Sequence, residues 1–131
     1  MIDEKQIDVF RKNFRQHVGK LRKKLFELKE YGLVFKFDRR SINKIGCIKS
    51  ISNSVKNGFT PEQHFEAAEN ILDLFEYSEV VEQHYEKKTA RNERHNLCIS
   101  KITDNVYAFM NVVTWGNNEG YIDLYLSKEA E

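Results

Sequence analysis

The fold class is decided by residues 97–126, LCISKITDNVYAFMNVVTWGNNEGYIDLYL. Apolar side chains in this stretch follow the two-residue period of β-strands, and the turn-forming runs 103–105 and 116–120 divide it. The stretch therefore predicts an antiparallel meander with strands at 97–102, 106–115 and 121–126. We expect the last strand to have two faces, one with Ile122, Leu124 and Leu126, the other with Tyr121, Asp123 and Tyr125.

A long helix is predicted at the start of the chain. Apolar residues recur at steps of three and four between Asp3 and Tyr31, and Gly32 follows where a helix end tolerates a left-handed backbone. A single helix facing the core explains this stripe, and so does a seam between two copies of the chain. A homodimer would use Ile7, Phe14, Leu21, Leu25 and Leu28.

Two further helices are predicted before the meander. The first follows Asp38 or Ser41 and ends at Asn57-Gly58, and its many Ile and Ser residues are mediocre helix formers that packing must hold. The second begins at Thr60-Pro61-Glu62-Gln63, which can form a capping box, and ends near Tyr77-Ser78. Helices followed by an antiparallel sheet predict one α+β domain, with about three helices on one face of a three- or four-stranded sheet.

The net charge of +1 conceals a segregation of charge along the chain. Residues 1–58 carry 15 Lys and Arg against 6 Asp and Glu, residues 59–86 carry 8 carboxylates and no Lys or Arg, and residues 87–131 carry 6 of each sign. A basic half suits a polyanion such as nucleic acid. Basic and acidic helices that neutralise each other, or ordinary solvated helix faces, explain the same pattern.

Composition excludes several classes of protein. The 131 residues match one domain, and a mean hydropathy of -0.63 without a long apolar run predicts no transmembrane helix. The charged start, Met1 to Lys5, favours the cytoplasm over secretion. Cys47 and Cys98 lack metal-ligand spacing, the four histidines are scattered along the chain, and no glycine-rich phosphate loop is present. The sequence therefore predicts neither a metal site nor a cofactor.

Titratable residues are concentrated at 84–95, directly before the meander. We predict a basic loop here, with a fourth strand within 84–89 as an addition. Cleavage of RNA by its 2′-hydroxyl needs a base, an acid and fixed positive charge beside the phosphorane. His95 with Glu86 or Glu93, and Arg91 or Arg94, can supply all three, with Lys87 and Lys88 beside them to bind RNA. A solvated basic loop is the alternative interpretation.

Aromatic residues of the meander offer a second candidate site. Tyr107, Trp115, Tyr121 and Tyr125 can form a platform on which RNA bases stack, flanked by Asn111 and Thr114 as hydrogen-bonding groups. Aromatic residues in strands also serve as ordinary packing partners across a sheet.

Three stretches carry a resemblance to a known family: FTPEQHFEAAENILDLF at 59–75, VYAFMNVV at 106–113 and YIDLYL at 121–126. This C-terminal half resembles the barnase/EndoU/colicin/RelE-like nuclease domains and the related domains of large polyvalent phage and mobile-element proteins. The resemblance implies helices on a four-stranded sheet whose open face cleaves RNA. Many family members place a histidine in the helices before the sheet, whereas the second predicted helix here has none. A non-catalytic descendant therefore stays open.

Two functions follow as hypotheses. The first is an RNA-directed protein of phage or mobile-element origin, with metal-independent RNA cleavage at the basic segment. The second is a non-catalytic interaction protein, such as an immunity protein, an antitoxin or an inhibitor of a host defence. It would bind a protein partner through its acidic stretch, which can imitate a nucleic-acid backbone. That surface would contain Glu66, Glu69 and Asp73.

Overall fold

The computed structural model describes residues 3–88 and 91–128. Within these residues the chain forms five α-helices, a two-stranded hairpin and a four-stranded sheet, which confirms the α+β class. The helices are α1 Glu4–Val18, α2 Arg39–Ile45, α3 Ile48–Lys56, α4 Pro61–Ala68 and α5 Ile71–Glu76. The strands are β1 Leu25–Leu28, β2 Leu33–Lys36, β3 Glu79–Lys88, β4 Arg91–Thr103, β5 Val106–Trp115 and β6 Glu119–Ser127.

The four-stranded sheet is an antiparallel meander in the order β3-β4-β5-β6. The three predicted strands are confirmed as β4, β5 and β6, and the fourth strand extends over all of 79–88. The loop predicted at 84–95 is wrong, because β3 and β4 pair along this segment as a long hairpin. The two strands satisfy each other's backbone hydrogen bonds here. The part of the hairpin that is exposed to solvent therefore forms strands without the alternating apolar residues by which strands are predicted.

The predicted first helix is too long. It ends at Val18, a single 3₁₀ turn follows at Gly19–Leu21, and Lys23 takes a positive φ of 72° before β1 begins. Strand β1 pairs with β2, which places Phe26 against the rings of Phe37 and Phe75 in the core. This burial of aromatic surface outweighs continuation of a helix that Gly19 already weakens.

The predicted dimer seam is lost with that helix. Ile7 and Phe14 are buried in the core of the same chain, Leu25 and Leu28 lie on β1, and Leu21 is in the 3₁₀ turn. These five residues therefore do not form the one helical stripe on which the homodimer was predicted, and the homodimer itself stays a prediction. Gly32 does adopt the predicted left-handed backbone, with φ of 62°, but it follows a 3₁₀ turn between β1 and β2.

The two other predicted helices are each divided in two. The first splits at Gly46-Cys47 into α2 and α3, and the second splits at Glu69-Asn70 into α4 and α5. Their predicted outer signals are confirmed: Asp38 caps α2, and the capping box of Thr60 and Gln63 starts α4. The break after α2 turns the chain so that both α2 and α3 lie along β6.

Serines of α2 and α3 satisfy the outer edge of β6. The hydroxyl of Ser41 accepts a hydrogen bond from the Ile122 amide at 3.0 Å, and that of Ser54 accepts one from the Leu126 amide at 2.9 Å. Asn57 donates to the Leu126 carbonyl at 2.8 Å. An edge strand exposes unpaired backbone groups, and these side chains pair them. The serines that weaken this helical region in isolation thus join it to the sheet.

His64 extends this buried network. Its Nδ1 lies 2.8 Å from the Ser54 hydroxyl and its Nε2 lies 2.9 Å from the Ile45 carbonyl. Since a carbonyl only accepts, we assign the proton to Nε2, and Ser54 then donates to Nδ1. Burial lowers the pKa of His64, and the hydrogen bond to Ile45 offsets only part of that effect. The residue is a neutral structural histidine.

Helices cover one face of the sheet. The predicted alternation along β6 is confirmed, because Ile122, Leu124 and Leu126 join the hydrophobic core with Met110 of β5. The opposite face, called the open face below, carries Tyr121 and the other odd-numbered residues of β5 and β6, and Asn111 at its centre is exposed. No helix in the described ranges is long and apolar enough to cross a membrane.

Candidate active site on the open face of the sheet

The register of the β3–β4 hairpin brings four titratable residues together. His84 pairs with His95, and two residues further along Glu86 pairs with Glu93. All four lie on the open face, since side chains two apart on a strand share a face. The two imidazole rings are nearly parallel, with centroids 5.2 Å apart. On this face the hairpin thus places a histidine opposite a histidine and, next to that pair, a glutamate opposite a glutamate.

Glu93 is the buried centre of this cluster. Its side chain is only 3% exposed, and its Oε2 accepts hydrogen bonds from Nε and Nη2 of Arg91 at 2.8 and 2.6 Å. Its Oε1 lies 3.2 Å from Nε2 of His95, and the carboxylate of Glu86 lies 3.3 Å from the same nitrogen. Glu93 therefore holds both the guanidinium and the imidazole in place.

Cations and aromatic rings border the cluster on one side. The guanidinium of Arg91 lies 3.7 Å from the Trp115 ring centroid and that of Arg40 lies 5.1 Å from it, while Lys44 Nζ is 5.5 Å from the Tyr121 ring. With Asn43, these side chains line an open groove of about 470 Å³. Stacked guanidinium groups and partly exposed rings are typical of surfaces that bind nucleic-acid bases and phosphates.

Arg40 is fixed in this groove by two carboxylates. Its Nη2 lies 2.7 Å from Asp38 and 2.8 Å from Glu119. Burial alone would raise the pKa of Asp38, but hydrogen bonds and charge from Arg40 outweigh it, so the pKa of that carboxyl is lowered. The pair is charged at neutral pH, and Arg40 was not among the predicted site residues.

The predicted aromatic platform is divided into two groups. Trp115 contacts Tyr121 edge-on at 6.2 Å, beside the cations, whereas Tyr125 stacks on Phe109 at 5.2 Å further along the sheet. Tyr107 is at that second end, paired with Ser127. Asn111 and Asp123 lie between the two groups. Burial raises the pKa of the Asp123 carboxyl, although a hydrogen bond from Ser50 acts in the opposite direction. Thr114 lies on the opposite face and is not part of the platform.

Arg94, predicted as a catalytic cation, has a different place. It lies on the helical side of β4, where its guanidinium donates to the carbonyls of Tyr31 and Gly32 at 2.8 and 3.0 Å. These bonds tie the small β1–β2 hairpin to the sheet, so the structure gives Arg94 a structural role. Lys87 falls on the same side by strand alternation, and the Lys88 side chain lies outside the described part of the chain.

His84 is the member of the cluster that sequence reasoning missed. The signal was present in the sequence, because His84 and Glu86 recur in reverse order as Glu93 and His95 about the pair Thr89-Ala90, which lies outside the described residues. A hairpin folded about that pair must set histidine against histidine and glutamate against glutamate. The four histidines are scattered in sequence, but two of them meet in the fold.

The residues of the alternative protein-binding surface lie on two helices rather than one. Glu66 is exposed on α4, Asp73 is exposed on α5, and Glu69 is at the break between them. Glu66 also lines a groove of about 390 Å³ that contains Phe59, Leu74 and Ile102.

In comparisons with known proteins, no family model, curated protein or solved structure matches this chain.

Proposed function

We propose that this protein binds single-stranded RNA on the open face of its sheet and cleaves it by attack of a 2′-hydroxyl on the adjacent phosphate. The observation that carries the proposal is the order Arg91, Glu93, His95 along β4, which joins a guanidinium, a carboxylate and an imidazole by contacts of 2.6 to 3.2 Å. Arg91 and His95 can supply the fixed positive charge and the acid that the reaction needs, and Glu86, 3.3 Å from His95, can supply the base. The resemblance to the nuclease domains implies RNA cleavage on this face of the sheet.

The exposure of each group suggests its role. Glu86 is 46% exposed and so can reach a 2′-hydroxyl, whose proton it would take as the general base. His95 in its protonated form would give its proton to the departing 5′-oxygen, leaving a 2′,3′-cyclic phosphate and a free 5′-hydroxyl. Arg91 would stabilise the charge of the phosphorane. Glu93 is almost fully buried and is therefore a positioning residue for Arg91 and His95.

RNA would enter along the groove beside this cluster. Trp115 and Tyr121 offer partly exposed rings on which bases can stack, and Arg40 and Lys44 offer charge to phosphates. Carboxylates paired with Arg40 and Arg91 offset part of this charge. We therefore expect a modest affinity that weakens as salt is raised.

The experiment is cleavage of an unstructured RNA oligonucleotide with product analysis for cyclic phosphate. His95→Ala should lower the rate at least about 100-fold, the usual contribution of a general acid. His17→Ala is the matched control, since it removes a histidine from outside the site, and Arg94→Ala removes a cation that lies on the other face; both should keep the wild-type rate per folded molecule. Full activity in His95→Ala, or none in the unmutated protein, would refute the cleavage proposal.

Binding is measured separately through Trp115, the only tryptophan of the chain. RNA on the groove should change its fluorescence, and Lys44→Ala should weaken the effect more than Lys12→Ala, which removes an exposed lysine of α1. Fluorescence change without cleavage would identify an RNA-binding protein rather than a ribonuclease.

A second candidate, binding of a protein partner, is favoured by the apolar groove beside Glu66. A basic partner with an apolar anchor would suit the groove and the neighbouring carboxylates. Reversing the charge of Glu66, Glu69 and Asp73 together should abolish capture of that partner in a pull-down. Unchanged capture would exclude this surface.

A further inference from the structure

The same hairpin carries a set of metal ligands that the proposed cleavage reaction does not need. One ligand atom each of His84, Glu86 and His95 can be chosen so that all three lie within 4.8 Å of one another. His84 has no role in the RNA chemistry described above. We propose that these three side chains form a binding site for Zn²⁺.

The geometry suits such an ion without movement of the backbone. Ligands about 2.1 Å from a tetrahedral Zn²⁺ lie about 3.4 Å apart, so a gap of 4.8 Å must close by about 1.4 Å. The side chains of His84 and Glu86 are 54% and 46% exposed and can rotate by that amount. His95 is held more firmly, at 24% exposure, by its contact with buried Glu93. Paired strands fix the spacing of all three residues.

The charges of the hairpin favour a cation at this point. Glu86 and Glu93 are directly opposite each other, and like charges so placed destabilise a strand pair unless positive charge offsets them, as Arg91 does for Glu93. Glu82 adds a third carboxylate, 3.7 Å from Nδ1 of His84. Carboxylates next to ligating imidazoles orient the rings and raise their basicity as ligands. The site thus has ligands and a supporting shell of negative charge.

The ligand types select the ion. Two imidazole nitrogens and one carboxylate favour Zn²⁺ and its neighbours among the late transition metals, whereas Mg²⁺ and Ca²⁺ prefer oxygen alone. Three protein ligands on an exposed face leave a position for water or another ligand. An ion bound by His95 and Glu86 would prevent these side chains from acting as the acid and the base of the proposed reaction. Zn²⁺ should therefore inhibit cleavage. Metal binding itself does not depend on RNA.

The test is titration of the whole chain with Zn²⁺, without RNA, by calorimetry. One ion per chain is expected, His84→Ala should weaken binding at least about 100-fold and Glu86→Gln at least about 10-fold. His17→Ala removes an exposed histidine of α1 and should bind as the unmutated chain does. Equal binding by His84→Ala, or one ion per two chains, would overturn an intrachain site.

Imidazole NMR signals of the unmutated protein give an answer that does not depend on the folding of any variant. Zn²⁺ should shift the signals of His84 and His95 and leave those of His17 and buried His64 in place. Shifts confined to His17, or none at all, would contradict the proposal. Zn²⁺ binding in a protein that cleaves no RNA would refute the proposed function and leave this site standing.

Discussion

Ser54→Ala tests the buried connection between α3, α4 and β6 most directly. The hydroxyl of Ser54 accepts from the Leu126 amide and donates to Nδ1 of His64, and all three residues are essentially inaccessible to solvent. Its removal leaves one buried donor and one buried acceptor without partners. Each such loss costs about 1–3 kcal/mol. The higher helix propensity of alanine offsets about 0.5 kcal/mol of this cost, so we expect the free energy of unfolding to fall by about 3 kcal/mol.

Urea unfolding is the assay for this change. With a slope of about 2 kcal/mol per molar urea, a loss of 3 kcal/mol lowers the midpoint by about 1.5 M. Ser52→Ala, a partly exposed serine on the same helix, is the matched control and should change stability by less than about 0.5 kcal/mol. If the two variants unfold at the same urea concentration, the network does not hold the edge of the sheet in the way described.

Three other outcomes are expected. Burial lowers the pKa of His64, so the neutral side chain stabilises the fold fully above about pH 6.5, the pKa of histidine in an unfolded chain, and this stabilisation declines as the pH falls below it. Urea midpoints of the unmutated protein and of His64→Gln, measured at several pH values, will check this. Arg94→Ala should lower the free energy of unfolding by about 1–2 kcal/mol through loss of its two carbonyl contacts, and an unaltered midpoint would contradict the structural role. Thr60→Ala should cost about 1 kcal/mol by removing the cap of α4, against no measurable loss for Thr103→Ala.

Local patterns predicted the elements whose stability is decided locally. The alternation along 121–126, the capping box at Thr60 and the left-handed Gly32 need only neighbours in the sequence, and the structure confirms them. The end of α1 could not be predicted in this way. Phe26 falls within the predicted helix but outside its apolar stripe, and it lies on β1 because it packs there against Phe37 and the distant Phe75.

The candidate site was half predictable for the same reason. Arg91, His95 and Glu93 lie within one short stretch, and their chemistry is visible in the sequence. Arg94 lies among them, but strand alternation turns it to the opposite face, which only the assignment of 91–103 to a strand reveals. The participation of Arg40 depends on α2 packing along β6, a tertiary contact that no local pattern encodes.

The buried and exposed polar residues of this fold answer different physical demands. Ser54 and His64 satisfy backbone and side-chain partners in the core, so their presence is explained by stability alone. The outer hairpin is different, since it places His84 against His95 and Glu86 against Glu93, where a pair of opposite charges would be the stabilising choice, and Arg91 and His95 offset the two carboxylates. Departures from the local pairing rules are expected at functional sites. The hairpin, rather than the acidic helices, is therefore where we expect the protein to act.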